Sequence, residues 1–216
     1  HLYQTPGFYT VTLTATNSYG EDTLTRAGYV HVYEPPVAAF SAPETEGGEP
    51  LLVSFQNHST AATNYLWDFG DGTGSTRDNP QHTYQTPGVY TVTLTASNPA
   101  AGDTLVKPGY ITVHPAPIAS FTATPRTGMA PLAVTFSNYS SNAGSFLWDY
   151  GDGTFSNRGA PTHTYVYDTP GTYTVSLTAS STYGSDTLTR LAYITVAPAF
   201  TLHIAADPEG LALSWD

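Results

Sequence analysis

Residues 67–73 read Trp-Asp-Phe-Gly-Asp-Gly-Thr, and residues 148–154 read Trp-Asp-Tyr-Gly-Asp-Gly-Thr. Gly-Asp-Gly is typical of a tight turn, because glycine adopts positive φ easily and an aspartate side chain accepts hydrogen bonds from nearby backbone amides. The tryptophan ahead of each turn predicts a large inward side chain on the preceding strand. Each stretch therefore marks the middle of a small β-structured unit.

Working outward from these turns, the chain repeats itself. The block HTYQTPGVY at His82 has a counterpart, HTYVYDTPGTY, 81 residues later at His163, and another, HLYQTPGFY, 81 residues earlier at His1. We expect the C-terminal half of one unit, two complete units and the first strands of a further sandwich, so that the chain begins in mid-unit. The predicted boundaries are 1–34, 35–114, 115–197 and 198–216.

Apolar and polar residues alternate within each unit, which is the pattern of half-buried strands. Three rows are predicted to face inward: Tyr90, Val92, Leu94 and Ala96; Leu51, Val53 and Phe55; and Tyr65, Trp67 and Phe69. Two sheets closing over such rows form a sandwich. The fold class is therefore all-β, with tandem sandwiches that short proline-bearing junctions are expected to hold end to end.

Charge excludes some function classes. Six basic residues against seventeen acidic ones give a net charge of −11, which argues against nucleic acid and anionic membrane surfaces as partners. No apolar run is long enough for a membrane span, and no Gly-x-Ser-x-Gly or His-Glu-x-x-His motif occurs. The sequence predicts a protein segment that is not an enzyme.

The blocks resemble the PKD (polycystic kidney disease) domain family in order and spacing. The resemblance rests on these fold-defining residues: Trp67, Gly70, Asp71, Gly72, His82 and Tyr84 in one unit, and Trp148, Gly151, Asp152, Gly153, His163 and Tyr165 in the next. It implies a seven-stranded immunoglobulin-like sandwich, found in tandem in extracellular proteins as a stalk, an adhesion module or an accessory domain of secreted enzymes. Residues 198–216 resemble instead the start of a fibronectin type III domain or of another sandwich.

The turn carboxylates invite two further interpretations. Asp68 with Asp71, and Asp149 with Asp152, are paired carboxylates of the kind that can act as acid and base. The same oxygens are weak calcium candidates, because calcium prefers oxygen ligands and some PKD-like modules bind it. We expect a structural role instead, since the pair recurs in every complete unit. No cofactor is predicted, with calcium left as the alternative.

The histidines of the His-x-Tyr motif, His1, His82 and His163, are residues of the type that binds metals or acts as a base. The simpler expectation is a histidine bonded to backbone, beside a tyrosine packed at the edge of the sandwich. A separate pattern, Asp-Thr-Leu, recurs at Thr23, Thr104 and Thr187. It resembles an O-glycosylation signal of some bacterial surface and secreted proteins, and the alternative is a threonine that simply begins a strand.

These observations predict an extracellular or cell-surface segment that acts as a stalk, spacer, adhesive or filament-forming module of a larger, glycosylated protein. Its expected partners are neighbouring modules of the same polypeptide, other copies of itself and surface glycans. In one variant, residues 1–34 are completed by the hairpin Phe200 to Trp215 of a neighbouring chain. The alternative function is a glycan- or protein-binding accessory region of a secreted hydrolase, which would use the aromatics Tyr139, Phe155 and Tyr167.

Overall fold

The computed structural model describes residues 1–200 in full and the backbone alone of residues 202–207 and 210–215. Two compact units are present, His1–His114 and Pro115–Asp216. Every regular element of this described part is a β-strand, which confirms the predicted all-β class. Among the same residues no helix has the length and apolar character needed to cross a bilayer.

The first unit opens with a long antiparallel hairpin, which we call the N-terminal hairpin: β1 (Gly7–Asn17) and β2 (Gly20–Val32). Apolar and polar residues alternate along its strands as they do in the later strands. An irregularity between Tyr9 and Val11 shifts the pairing register of the two strands. Tyr9 Oη donates a hydrogen bond of 2.6 Å to the Thr5 carbonyl, which closes the turn ahead of β1.

The rest of the first unit is a sandwich, which we call the first domain. One sheet has the strand order β4-β11-β10-β7-β8, and the pairs β3–β6 and β5–β9 oppose it. Its strands are β3 (Phe40–Ser41), β4 (Glu46–Gly48), β5 (Leu51–Ser54), β6 (Gln56–Asn57), β7 (Asn64–Asp68), β8 (Gly74–Ser75), β9 (Gln81–Tyr84), β10 (Gly88–Ser97) and β11 (Gly102–His114).

The second unit contains an equivalent sandwich, the second domain. Its sheets have the orders β13-β19-β18-β15-β16 and β12-β14-β17. Its strands are β12 (Phe121–Thr124), β13 (Thr127–Met129), β14 (Leu132–Asn138), β15 (Ser145–Asp149), β16 (Phe155–Ser156), β17 (Thr162–Tyr167), β18 (Gly171–Ser181) and β19 (Gly184–Ala197). The continuous β14 takes the place of β5 and β6 in the first domain.

Each domain has its own apolar core, built from the predicted inward rows. Trp67 and Trp148 lie fully buried at the two centres, where aromatic neighbours meet them mainly edge-on or tilted. The two clusters share no residue. The first-domain cluster consists of Phe40, Val53, Phe55, Trp67, Phe69, Tyr84, Val92, Leu94, Ile111 and Val113.

After the second domain the backbone forms a two-stranded antiparallel hairpin, β20 (Leu202–Asp207) and β21 (Gly210–Trp215). The predicted likeness of residues 198–216 to a fibronectin type III domain depends on side chains that lie outside the described residues. It therefore stays a prediction, and so does the proposed pairing of this hairpin with another chain.

Candidate functional site

The carboxylates of the first Gly-Asp-Gly turn accept hydrogen bonds from residues of the same turn. The Gly70 N–H donates to Asp68 Oδ1 at 2.9 Å, and the Thr73 N–H and hydroxyl donate to Asp71 Oδ1 at 3.0 and 2.6 Å. Gly70 has a φ of 81°. A β-carbon there would collide with the backbone carbonyl of Thr91, so the residue must be glycine.

The second turn repeats this arrangement. The Gly151 N–H donates to Asp149 Oδ1 at 2.9 Å, and the Thr154 N–H donates to Asp152 Oδ1 at 3.0 Å. Asx-type bonds of this kind replace backbone hydrogen bonds that the turn cannot make. Within the described residues no three or more His, Asp or Glu side chains gather into a cluster that could hold a metal ion.

His82 belongs to the first turn through its side chain. Its Nε2 lies 2.7 Å from Asp71 Oδ2, and its ring stacks on Phe69 with centroids 4.3 Å apart and an interplanar angle of 4°. The expectation of a histidine bonded to backbone is wrong, because the nearby carboxylate is the better acceptor. His1, the first residue of the chain, makes an edge contact with Tyr3 at 4.4 Å.

The tyrosine of the same motif is also placed differently from the prediction. Tyr84 is completely buried in the core, not at the edge of the sandwich. Its hydroxyl donates a 3.0 Å hydrogen bond to the Phe69 carbonyl. Burial and the negative charge of Asp71 raise the pKa of Tyr84, so the phenol remains a neutral donor.

The two His-x-Tyr motifs are not equivalent in space, although their letters match. In the first domain Val53 pairs with His82, whereas its counterpart Val134 pairs with Tyr165. The second domain has two additional residues before its Pro-Gly turn, which move the motif along the strand. The sequence-based equivalence of His82 with His163 is therefore wrong.

Tyr165 takes over the contacts that His82 makes. Its hydroxyl donates to Asp152 Oδ2 at 2.6 Å, and its ring stacks on Tyr150 with centroids 3.8 Å apart and an interplanar angle of 8°. Burial, followed by the hydrogen bond to Asp152, raises the pKa of Tyr165. Tyr167 in turn takes the place of Tyr84, and its hydroxyl donates to the Tyr150 carbonyl at 3.0 Å.

His163 lies in the core instead. Its Nε2 and the Tyr150 hydroxyl share a hydrogen bond of 2.7 Å, and its ring meets Trp148 edge-on at 4.9 Å. Its Nδ1 is buried without a hydrogen-bond partner. Burial, and to a lesser extent the positive charge of Arg158, lowers the pKa of His163, so the ring is held neutral.

A partly buried cation that lies over aromatic rings in each domain was missed by the sequence analysis. Lys107 Nζ lies 4.6 Å from the ring centre of Phe40 and 4.5 Å from that of Tyr110, and donates to the Phe40 carbonyl at 2.8 Å. In the second domain Arg190 contacts Phe121 in the same manner, at 5.3 Å from the ring centre. Such cation–π contacts close one side of each sandwich.

The Asp-Thr-Leu positions lie on exposed strands near the hairpin turns. Asp103 Oδ2 accepts a hydrogen bond from the Ala38 N–H, and Asp186 Oδ2 one from the Ala119 N–H, both at 2.8 Å. These aspartates therefore fix the start of each domain. Each threonine shares a hydrogen bond with the threonine opposite: Thr23 with Thr14 at 3.0 Å, Thr104 with Thr95 at 2.9 Å and Thr187 with Thr178 at 2.8 Å. Glycosylation at these residues stays a prediction.

Of the three aromatics predicted to bind glycans, two are exposed and one is buried. Tyr139 and Phe155 are exposed, at 65% and 60%, but Tyr167 is only 1% exposed and belongs to the core. Its inclusion in a binding surface was wrong, because the two extra residues of the second domain place it where Tyr84 lies in the first. Phe155 lines a shallow cleft together with Arg158 and Tyr165.

Separate cores, a sandwich of two opposed sets of strands and turn carboxylates held by their own backbone define tandem immunoglobulin-like modules. A family model described as the PKD domain matches residues 33–113 and 114–196. The chain belongs to the PKD domain family.

Relatives with this domain are much longer than the chain. Collagenase ColA of Bacillus cereus is 45% identical over 51 residues, which are 21% of this chain and 5% of that protein. Human polycystin-1 is 28% identical over 191 residues, which are 85% of this chain and 4% of that protein. The chain thus spans about a twentieth of the length of these relatives.

Solved structures include related sandwiches. The PKD1 domain of the Vibrio cholerae metalloprotease PrtV is 36% identical, with a TM-score of 0.33, over 37% of this chain and 98% of that one. A structure of three titin immunoglobulin domains is 14% identical, with a TM-score of 0.52, over 88% of this chain and 74% of that one. The titin likeness shows the fold alone.

Proposed function

We propose that the chain is a non-catalytic spacer segment of a larger extracellular or cell-surface protein. The observation that carries the proposal is that each domain closes its own core and uses its most conspicuous polar residues, such as Asp71 and His82, to hold its own turn. Such domains add length and surface to a polypeptide, and neither depends on the other for its packing. The collagenase and polycystin-1 relatives support an extracellular location.

The proposal is tested by pulling the chain between two handles in a force-spectroscopy experiment. Independent spacer domains should unfold in two separate events, each releasing about 280 Å of chain for some 80 residues at about 3.5 Å per residue. Trp67→Ala should weaken one event and leave the other unchanged. One joint event, or extension without any resisted step, would contradict the proposal.

A second candidate is glycan binding by the cleft of the second domain. Phe155 presents an exposed ring beside Arg158 and the Tyr150–Tyr165 stack, whereas the first domain has Gly74 at the corresponding position. Retention on immobilised polysaccharides tests this function. Phe155→Gly should abolish retention, and Leu147→Ala, which shortens an exposed apolar side chain outside the cleft, serves as the control. If both variants were retained as strongly as the unmodified chain, glycan binding by the cleft would be excluded.

A further inference from the structure

The cleft beside Phe155, which we call the Phe155 cleft, is lined by residues from both sheets of the second domain. It has a volume of about 180 Å³ and includes residues of β16 and β17, which are edge strands of the two sheets. No acidic residue is among its described lining residues, although the chain has a net charge of −11. The lining residues are Tyr150, Thr154, Phe155, Ser156, Arg158, Thr164 and Tyr165.

Phe155 gives the cleft an exposed apolar surface on a fixed backbone. Its ring is 60% exposed, and its backbone pairs with Asp149 in the neighbouring strand β15. The stacked rings of Tyr150 and Tyr165 also line the cleft. Exposed aromatic rings are typical of binding surfaces, because they offer a large rigid contact area and lose little conformational entropy. The C–H face of a sugar ring can pack on a surface of this kind.

Arg158 supplies a positive charge at the same place. Its carbonyl accepts a 3.2 Å hydrogen bond from Trp148 Nε1, so its backbone is tied to the core. Burial raises the pKa of Tyr150 and the positive charge of Arg158 opposes this rise, which indicates that the charge acts within the cleft. Within the described part of the chain the Arg158 guanidinium makes no ion pair. A guanidinium can form two parallel hydrogen bonds with a carboxylate or a sulfate group.

The first domain lacks this combination, although it has an equivalent arginine. The Arg77 carbonyl accepts the Trp67 Nε1–H at 2.9 Å, as the Arg158 carbonyl accepts that of Trp148. The aromatic residue is replaced by Gly74. The residue after the arginine is Asp78, whose carboxylate accepts a hydrogen bond from the Asn57 side chain and adds a negative charge. The second domain has Gly159 there, so the charge of Arg158 has no acidic neighbour in sequence.

We propose, building on the second candidate function of glycan binding, that the Phe155 cleft takes a sugar residue that carries an anionic group. The anionic group is a uronate carboxylate or a sulfate ester. The sugar ring packs on Phe155, and the anionic group pairs with Arg158. A neutral sugar would leave the guanidinium without a partner in the complex. Because the net charge of −11 repels polyanions, binding depends on this local contact.

Affinity electrophoresis of the full chain tests the proposal with two matched pairs of polysaccharides. The pairs are polygalacturonate with its methyl ester, and a sulfated galactan with its unsulfated form. EDTA in the gel prevents bridging by divalent cations. The acidic member of at least one pair should bind about 10-fold or more tightly than the neutral member, because hydrogen bonds to charged groups are the strong ones. The pair that shows the preference identifies the anionic group.

Two sets of variants locate the contact. Arg158→Gln should reduce binding of the acidic polysaccharide to that of the neutral one, and Arg77→Gln in the first domain is the matched control and should have no effect. Gly159→Asp, which restores the acidic residue of the first domain, should weaken binding by about 3-fold or more. Gly159→Asn should not weaken it. A β-carbon at Gly159 would lie 3.4 Å from the Phe146 ring, an ordinary contact.

Three results would overturn the proposal, and they have different consequences for glycan binding. Equal affinity for both members of each pair, lost in Phe155→Gly but kept in Arg158→Gln, would leave glycan binding in place and exclude an anionic sugar. An acid preference that falls equally in Arg77→Gln would assign it to diffuse charge. Failure to bind any of the four polysaccharides would overturn glycan binding as well, whereas the spacer role depends on the force experiment alone.

Discussion

The first and second domains solve the same packing problem with different residues. In each domain an aromatic ring stacks on the residue two positions after the buried tryptophan. A polar atom of that ring contacts the aspartate of the Gly-Asp-Gly turn. The first domain uses His82 and Asp71, and the second uses Tyr165 and Asp152. The comparison shows that the fold requires a stacked ring with a polar tip, not a histidine.

The exchange of rings has a consequence for the interior. The residue opposite the core phenylalanine is Pro80 in the first domain, whose carbonyl accepts the Phe55 N–H at 2.9 Å, and His163 in the second, which pairs with Phe136. Proline cannot titrate, whereas His163 brings an ionisable ring among apolar side chains. The two domains should therefore differ in their response to pH, although their cores are otherwise alike.

The largest expected effect concerns the buried tryptophan that the two domains share. Trp67→Ala and Trp148→Ala should each lower the free energy of unfolding of their own domain by about 3–5 kcal/mol, because each removes a buried aromatic from the centre of a core. Urea unfolding followed by amide exchange separates the two domains. Leu66→Ala, an exposed neighbour on the Trp67 strand, is the control, with an expected effect within about 0.5 kcal/mol.

A cost confined to the mutated domain supports independent cores. If Trp67→Ala also destabilised the second domain by a similar amount, the two cores could not be energetically separate, and the likeness between the domains would need another explanation.

The sequence predicted the parts of the fold that depend on local pattern. Alternation identified the inward rows, and the Gly-Asp-Gly turns with their buried tryptophans were placed correctly. The second His-x-Tyr motif was misaligned because matching letters concealed two extra residues. Counting back from the turn would have shown the shift, since Tyr84 precedes Pro87 by three residues and Tyr167 precedes Pro170 by three.

The cation over the aromatic rings could also have been found. Arg26, Lys107 and Arg190 are three of only six basic residues, and they occupy the same place in successive repeats. Their contacts could not be predicted, because Lys107 and its carbonyl acceptor on Phe40 are 67 residues apart in the chain. Only the closed sandwich brings them together.

The second-largest expected effect is a pH dependence of stability that differs between the two domains. The pKa of His163 is lowered by burial, so the unfolded chain, with an ordinary histidine pKa near 6.5, binds the proton more readily than the folded domain. The second domain should lose stability as the pH falls below about 6.5, at up to about 1.4 kcal/mol per pH unit, until the folded ring is protonated as well. Chemical denaturation at a series of pH values measures this slope.

The first domain should respond in a lower pH window. Burial alone would raise the pKa of Asp71, but hydrogen bonds from Thr73 and His82 outweigh it and leave the pKa below its usual 3.8. The stability that this carboxylate provides is complete above that value and is lost as the pH falls through the folded-state pKa. His163→Phe should remove the slope that begins below pH 6.5 in the second domain, and His82→Tyr should not. A slope that survives His163→Phe would refute the assignment.

The smallest expected effect is a change in stability on exchanging glycine and alanine, and it has opposite signs in the two domains. β11 and β19 each turn through the left-handed region at one residue, which is Gly109 with a φ of 58° in the first domain and Ala192 with a φ of 48° in the second. A side chain in this region costs about 1–2 kcal/mol, partly offset by the greater unfolded-state freedom of glycine. Ala192→Gly should therefore stabilise the second domain by about 0.5–1 kcal/mol, and Gly109→Ala should destabilise the first by a similar amount.

Urea midpoints of the two domains measure both changes, and Leu191→Ala, at the exposed residue beside Ala192, controls for the loss of a neighbouring side chain. The hydrogen bonds from the Gly109 and Ala192 N–H groups to Thr91 and Thr174 Oγ1 should persist in every variant, because the backbone keeps its path. Since only the backbone preference changes, the two substitutions should have opposite signs. Destabilisation by both would mean that the Ala192 methyl group makes a packing contribution larger than the strain it causes.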